Sequence, residues 1–244
     1  MRLCYIGNPN SIHIRRWTRY FVQRGHEVHL IGEHILEEAT PASVIFHDLT
    51  AITNVQRLRY LVWAIAVGRI VRRIQPDLVH AHQVASAGWL GAAAGYHPFI
   101  VTAWGSDLLL GPTRSFLQRY LARWVLTQAD WVTCVSEGLV TAARELGADP
   151  TRLELAPWGV DTQIFQPGPP NDALRKKLGL NAGPIVLSLR AMQPIYNPLD
   201  LAAAMPLILE QVPEAQFIIR SHICDPELLA LFQAAVRKQG VEHA

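Results

Sequence analysis

Residues 78–102 read LVHAHQVASAGWLGAAAGYHPFIVT, and this stretch decides the fold class. Two short apolar runs, 78–81 and 99–102, lie on either side of an Ala- and Gly-rich segment, 85–95, which predicts a helix. Strands that are apolar on both faces are typical of a parallel sheet covered on both sides, and a helix usually connects such strands. The stretch therefore predicts a strand–helix–strand unit of a parallel sheet.

The same alternation continues on both sides of this stretch. Further strands are predicted at 3–6, 28–31, 44–46, 131–135 and 153–156, and further helices at 54–74, 114–127 and 136–146. Another helix follows the first strand, with Ser11 as its predicted cap and Gly25 at its end. We therefore predict an α/β, Rossmann-like, doubly wound parallel sheet over residues 1–165.

The composition changes after this region. Residues 166–171 read QPGPPN, which indicates a linker, placed at 166–180 and including a short helix at 172–178. A second alternation follows, with strands at 185–189 and 217–219 and helices at 198–211 and 226–239. Two strands cannot close a sheet of usual size, so residues 181–244 are expected to be the truncated start of a second Rossmann-like domain.

The bulk composition excludes several classes of protein. Half of the residues are hydrophobic and 17% are charged, which predicts a substantial core, and a net charge of +2 does not indicate nucleic-acid binding. The three cysteines are far apart and predict small buried side chains in a reducing compartment. Because the sequence starts with a strand-like run and lacks a span-length apolar segment, we expect a cytoplasmic protein.

Arginines are concentrated near the start of the chain. Residues 1–80 contain ten arginines and six acidic residues, whereas the remainder contains twelve basic and fourteen acidic residues. The excess lies on two predicted helices that contain no acid: Arg15, Arg16, Arg19 and Arg24, then Arg57, Arg59, Arg69, Arg72 and Arg73. Such faces suit phosphate groups or an anionic membrane surface, here the inner face of the membrane, although a solvated helix face explains them equally well.

The order of motifs resembles that of the family 4 glycosyltransferases, which have the GT-B fold of two facing Rossmann-like domains. The segments that carry the resemblance are GNPNSIH (7–13) with Arg16 and Trp17, RGHEV (24–28), DLVHAH (77–82), TAWGSD (102–107), VSE (135–137) and GVDT (159–162) with Phe165. The resemblance implies sugar transfer from a nucleoside-diphosphate sugar, a co-substrate rather than a cofactor, to a glycan or lipid-linked acceptor. It also implies retention at the anomeric carbon, no essential metal, an acceptor on the first domain and a donor mainly on the second.

The loop after the first strand is one candidate binding segment, because ligands of parallel sheets bind beyond the carboxyl ends of the strands. Gly7 allows a close turn and is assigned to donor binding; Asn8, Asn10 and His13 are assigned to the acceptor side. The spacing is not Gly-x-Gly-x-x-Gly, which argues against a dinucleotide site. A purely structural turn is the alternative for Gly7.

The Gly-Ser-Asp loop lies at another strand end. Asp107 and Trp104 are the candidate catalytic residues there, with Ser106 and His82 on the acceptor side. Asp107 can accept hydrogen bonds from acceptor hydroxyls or cap the next segment. The family commonly has His at the position of Trp104; an indole cannot do acid–base chemistry but can stack on a sugar. His80 and His82 point to one side of a strand without a third ligand, so no metal site is predicted, and both are expected to line the edge of the cleft.

The donor side is expected to meet the charge of a departing diphosphate with preorganised cations. Arg190 matches the family's diphosphate-binding Arg, although an ordinary surface role is the alternative. The family commonly has a Lys shortly after a Pro, where this chain offers Tyr196 and Asn197 after Pro194.

The family's Glu-x7-Glu segment is absent from residues 178–244. The 244 residues alone are therefore expected to have little or no transfer activity. A non-catalytic Rossmann-type module that binds a sugar or a nucleotide is the alternative function. A dehydrogenase ranks last, because the glycine fingerprint is missing.

Overall fold

The computed structural model describes residues 1–34, 43–52, 59–221 and 224–242. Contacts within the chain separate two compact units, Met1–Asp161 and Thr162–Ala244. The first unit therefore ends at 161, close to the limit of 165 predicted from composition. Residues 54–58 of the helix predicted at 54–74, Arg57 among them, lie outside the described residues.

The first unit contains a seven-stranded parallel sheet of order β3-β2-β1-β4-β5-β6-β7. Its strands are β1 (Arg2–Ile6), β2 (Glu27–Gly32), β3 (Val44–Asp48), β4 (Leu78–His82), β5 (Phe99–Ala103), β6 (Trp131–Cys134) and β7 (Leu153–Leu155). Its helices are α1 (Ile12–Gln23), α2 (Arg59–Ile74), α3 (Trp89–Ala94), α4 (Ser106–Leu109), α5 (Gly111–Arg114), α6 (Phe116–Gln128) and α7 (Glu137–Glu145). The strand order reverses between β1 and β4, which creates a switch point where such folds bind ligands. The predicted fold class is confirmed.

Alternating side chains divide the core of this unit into two layers. Val79, Ala81 and Val101 are fully buried in the layer with α2, α3, α6 and α7. The opposite layer forms around Tyr5 and Ile14, where α1 packs on the sheet. Burying each large apolar side chain contributes about 1.5–3 kcal/mol, so the strand runs that predicted the sheet also contribute to its stability.

The cysteines fit this core. Cys4 and Cys134 are buried, Cys224 is half-buried, and all three are free thiols. Burial raises the pKa of the Cys4 thiol to about 12, so this side chain behaves as a small apolar group, as the sequence predicts.

Three segments at the carboxyl ends of β4 and β5 differ from the prediction. The helix expected at 85–95 begins earlier, as a π-helical turn at Gln83–Gly88, before α3. The Gly-Ser-Asp loop forms the short helix α4, entered through Gly105 at a φ of 149° that only glycine adopts readily. The helix expected at 114–127 is divided into α5 and α6, because Ser115 is extended.

The second unit contains the parallel pair β8 (Ile185–Ser188) and β9 (Gln216–Ile219). Helices α9 (Pro198–Gln211) and α10 (Pro226–Lys238) provide its apolar core, in which Met192, Met205 and Phe232 are buried. Helix α8 (Asp172–Lys177) forms within the segment predicted as a linker, with Asn171 as its cap. Within the described ranges, no helix has the length and apolar character needed to cross a bilayer.

Candidate functional site

A cavity of about 450 Å³ lies at the switch point between β1 and β4. Gly7, Asn8 and Asn10 line it together with Gly32 and Gln83. A Cβ atom added to Gly32 would lie 2.4 Å from the carbonyl oxygen of Gly7, so the loop after β1 lies directly against the end of β2. The predicted turn at Gly7 therefore forms one wall of a cavity.

Hydrogen bonds fix the conformation of this loop. The backbone N–H of Asn10 donates to Oδ1 of Asn8 (2.9 Å), and Nδ2 of Asn10 donates to the carbonyl of His34 (2.8 Å). The hydroxyl of Ser11 accepts from the N–H of His13 (3.2 Å), which confirms the predicted cap of α1. Asn8 is exposed at the cavity, whereas Asn10 is partly used to hold the loop after β2.

Asp107 connects the loops that follow β4 and β5. Its carboxylate is 7% exposed and accepts the backbone N–H groups of Val84 (2.8 Å), Trp104 (3.1 Å) and Gly105 (2.7 Å). Such charge-assisted bonds are strong, and they occupy the oxygens that a sugar hydroxyl would need. These bonds give Asp107 the structural role considered for it, while its role toward an acceptor stays a prediction.

Aromatic side chains form a cluster beside the switch point. The ring of His13 stacks on Trp158 with centroids 3.5 Å apart, and Trp104 meets both rings edge-on, at 5.2 Å from His13 and 5.3 Å from Trp158. Arg16 donates to the carbonyl of Gly159 (2.6 Å), which holds the Trp158 segment against α1. Burial, assisted by the positive charge of Arg16, lowers the pKa of His13.

A second cavity, of about 510 Å³, extends from this cluster along α1. His13 and Trp158 line it with Trp17 and Phe21. Sequence reasoning did not single out Trp158, although it directly precedes the motif at 159–162. The signal that would have found it is an isolated Trp at a predicted strand end.

His82 and His80 lie beneath the cluster rather than at its surface. His82 is 1% exposed, its Nδ1 accepts from the indole N–H of Trp104 (3.3 Å), and its Nε2 has no partner within the described structure. His80 shares a hydrogen bond with the Thr102 hydroxyl (2.7 Å), which in turn contacts the Thr133 hydroxyl (2.7 Å). The expectation that both imidazoles line a cleft is not met, because both are buried, and His82 instead orients Trp104.

Burial also keeps both imidazoles neutral. It lowers the pKa of His80 to about 3. Burial, followed by the charges of His80 and His13, lowers the pKa of His82 well below its usual range. No group of three or more metal-ligating side chains occurs among the described residues.

A third cavity, of about 610 Å³, opens between α2, α3 and the α4–α6 segment. Ser106 and Asp107 line it with Gln83, Arg114 and Gln118. Gln83 also lines the switch-point cavity, and its φ of 79° is unusual for a residue other than glycine. Its side-chain oxygen accepts from the Ser86 hydroxyl (3.1 Å). No sequence signal identified Gln83, because backbone strain at a non-glycine residue leaves no trace in composition.

In the second unit, Arg190 and Tyr196 are brought together. The guanidinium of Arg190 lies 4.9 Å from the centroid of the Tyr196 ring, and both side chains are exposed. Asn197 directly precedes α9 with a φ of 46°. The three predicted donor residues thus lie together beyond the carboxyl end of β8, whereas Gly7 belongs to the first unit.

Comparisons with known proteins agree on the class. The sequence model of a family described as "Glycosyl transferase 4-like" matches residues 2–136. The D-inositol 3-phosphate glycosyltransferase of Gordonia bronchialis is 33% identical over 147 residues, which are 54% of this chain and 31% of that protein. The chain thus spans about a third of the length of this curated relative.

Two solved structures share the fold. Sucrose-phosphate synthase from Thermosynechococcus elongatus has a TM-score of 0.77 at 15% identity, over 100% of this chain and 69% of that one. Anabaena HepE, solved in complex with UDP and glucose, has a TM-score of 0.76 at 15% identity, over 99% of this chain and 67% of that one.

Asp107→Asn is expected to lower the free energy of unfolding by about 2–3 kcal/mol, because the amide loses the charge and presents a donor to buried N–H groups. Asp149→Asn is the matched control: Asp149 also accepts a backbone N–H, from Thr151, but its side chain is 50% exposed. The control should change stability by less than about 1 kcal/mol. Urea unfolding followed by tryptophan fluorescence measures both. Equal effects would contradict the structural role of Asp107.

Stability is expected to fall as the pH drops below 6.5. The folded-state pKa of His80 is lowered to about 3, so in this window the unfolded chain binds a proton that the folded chain does not. Each such histidine costs up to about 1.4 kcal/mol per pH unit. His80→Gln should reduce the slope between pH 6 and 5 by about that amount. His34→Gln, which removes an exposed imidazole, is the control for the loss of one histidine. A slope in His80→Gln that is the same as that of the parent would refute the assignment, whereas the remaining contribution of His82 is expected to persist.

Proposed function

Because the chain belongs to the glycosyl transferase 4-like family, we propose that it transfers a sugar from a nucleoside-diphosphate sugar to a glycan or lipid-linked acceptor, with retention at the anomeric carbon. The observation that carries this proposal is the family match over the unit that contains the switch-point cavity. Since the chain spans about a third of the curated relative's length, the activity proposed is that of the whole protein.

The donor side of the proposal rests on charge. When the glycosidic bond to the donor breaks, negative charge grows on the departing diphosphate, and a fixed cation stabilises it. Arg190 is such a cation, and the face of Tyr196 orients its planar guanidinium. A structural neighbour was solved with UDP and glucose, which supports a nucleotide sugar as donor. The proposed reaction uses no metal and no cofactor.

The acceptor side rests on the three cavities described above. Asn8 offers an exposed amide and Gln83 a half-buried one, and amides can both donate to and accept from sugar hydroxyls. Trp104 and Trp158 supply apolar surface for the face of a sugar ring. In this scheme Asp107 holds the loop that carries Trp104, and it does not transfer a proton.

The location follows from the proposed acceptor. We place the protein in the cytoplasm, at the inner face of the membrane when the acceptor is lipid-linked. Which surface of the protein would contact the membrane does not follow from the two basic helices, because several of their arginines bond or stack within the protein. Arg16 bonds to the Gly159 carbonyl, Arg24 stacks on Tyr20 at 3.6 Å, and Arg72 donates to the Ala94 carbonyl at 3.4 Å.

A non-catalytic binding module is the second candidate. Trp104 lies where the family commonly has His, and Tyr196 lies near the place of its Lys. Residues 178–244 also lack the Glu-x7-Glu segment. Glu210 lies near the end of α9 and Glu227 in the first turn of α10, so neither substitutes for that segment. Calorimetry separates the two candidates, because such a module binds a sugar or lipid with no further sequence.

Arg190→Ala is expected to weaken UDP binding. One charge-assisted contact to a phosphate is worth about 1.5–3 kcal/mol, so Kd should rise roughly ten- to a hundredfold. Arg237→Ala is the control, since it removes an equally exposed cation from the last turn of α10. Isothermal titration calorimetry with UDP measures both. Unchanged affinity in Arg190→Ala would remove Arg190 from the donor site.

The 244 residues alone are expected to release no nucleoside diphosphate from nucleotide sugars, even in the presence of acceptor glycans. The reason is that the donor contacts expected from a Glu-x7-Glu segment are missing from residues 178–244. A coupled assay for UDP and GDP release, run over several nucleotide sugars, checks this. Robust turnover would show that other groups suffice.

A further inference from the structure

The first five residues of α6 include three exposed large apolar side chains. Phe116 is 84% exposed, Leu117 63% and Tyr120 59%. A single exposed apolar residue is ordinary, but three within five positions of one helix, two of them aromatic, are unusual for a surface in contact only with water. Only from Ala122 onward does the helix bury residues in the core.

The same segment is basic and contains no acid. Arg114, Arg119 and Arg123 are exposed, and residues 108–129 include neither Asp nor Glu. Across the described ranges, no hydrogen bond or ion pair engages any of these three guanidinium groups. This distinguishes them from the arginines of α1 and α2 that are held by carbonyl groups or aromatic rings.

We propose that this surface, formed by Arg114, Phe116, Leu117, Arg119, Tyr120 and Arg123 and called the α6 patch, docks on an anionic lipid bilayer. Aromatic and leucine side chains insert at the boundary between headgroups and acyl chains, while arginines extend to the phosphates. Each basic residue near an anionic surface strengthens binding about fivefold. The combination of exposed apolar area with unneutralised positive charge therefore selects an anionic lipid surface.

A second copy of the chain fits this patch poorly. A two-fold contact would place the patch against itself. Six arginines would then meet across an interface to which residues 108–129 contribute no acid. Their mutual repulsion disfavours that arrangement, whereas lipid phosphates neutralise each charge.

The patch adjoins the third cavity of the first unit. Arg114 and Gln118 belong to the patch helices and line that cavity, and Tyr60 of α2 lines it too. Leu61, next to Tyr60, is 59% exposed. Docking through the α6 patch therefore brings the cavity close to the headgroups, where a lipid-linked acceptor can reach Ser106 and Gln83. This last step rests on the proposed function, whereas the docking itself does not.

Co-sedimentation with vesicles tests the proposal. The chain should bind vesicles of phosphatidylcholine with phosphatidylglycerol and not vesicles of phosphatidylcholine alone. Arg119→Glu should lower the partition coefficient roughly tenfold or more, because it removes one attraction and adds a repulsion. Phe116→Ser should lower it roughly fivefold or more, since insertion of an apolar ring is lost.

Three controls define the outcomes. Arg144→Glu makes the same charge change on α7, Leu207→Ser removes another exposed apolar residue, in the second unit, and Arg19→Glu tests α1. All three should bind as the parent does. Three results would each overturn the proposal. They are failure of the parent to bind either vesicle, a loss of binding caused by Arg19→Glu but not by Arg119→Glu, and a dimer in light scattering that Phe116→Ser dissociates. UDP calorimetry on the same samples tests the donor-side proposal separately, so a failure of vesicle binding can be told apart from a failure of UDP binding.

Discussion

The buried carboxylate of Asp107 is the interaction on which the arrangement of the first unit depends. It accepts three backbone N–H groups from two loops that leave neighbouring strands, and so it fixes where those loops begin. Through the N–H of Val84 it determines how the chain enters the π-helical turn, and with it the strained backbone of Gln83. Through Trp104 it positions the aromatic cluster. The switch-point cavity and the third cavity, both lined by Gln83, therefore depend on the carboxylate of Asp107.

Sequence pattern was sufficient for the fold because the strands of a parallel sheet are apolar on both faces and appear as short apolar runs separated by helical segments. The run at 78–81 and the cap at Ser11 appear as predicted. The helix ends near β4 and β5 could not be predicted, because they depend on a hydrogen bond between residues far apart in sequence. The Asp107 carboxylate accepts from the N–H of Val84, more than twenty positions away. Periodicity contains no information about such contacts.

The candidate site was predictable in position and less so in role. Positions next to strand ends were found because the topology of a parallel sheet brings them to one edge, as for Gly7, Asn8 and Ser106. Residue type alone misleads about burial: His82 has the chemistry of a ligand-binding side chain, yet it is buried and supports Trp104. Arg190 and Tyr196 were assigned from the family resemblance, and the ring-to-guanidinium contact within the second unit gives that pairing a physical basis.

The stacking of His13 on Trp158, with Trp104 against both, has a practical consequence. Indole emission is sensitive to an adjacent imidazole and to solvent, and two of the chain's seven tryptophans meet at this one position. A molecule that enters between them must part the rings or extend the stack, and either event alters the emitted light. An unlabelled sample can therefore be screened against a library of carbohydrates, with the protein serving as its own optical sensor.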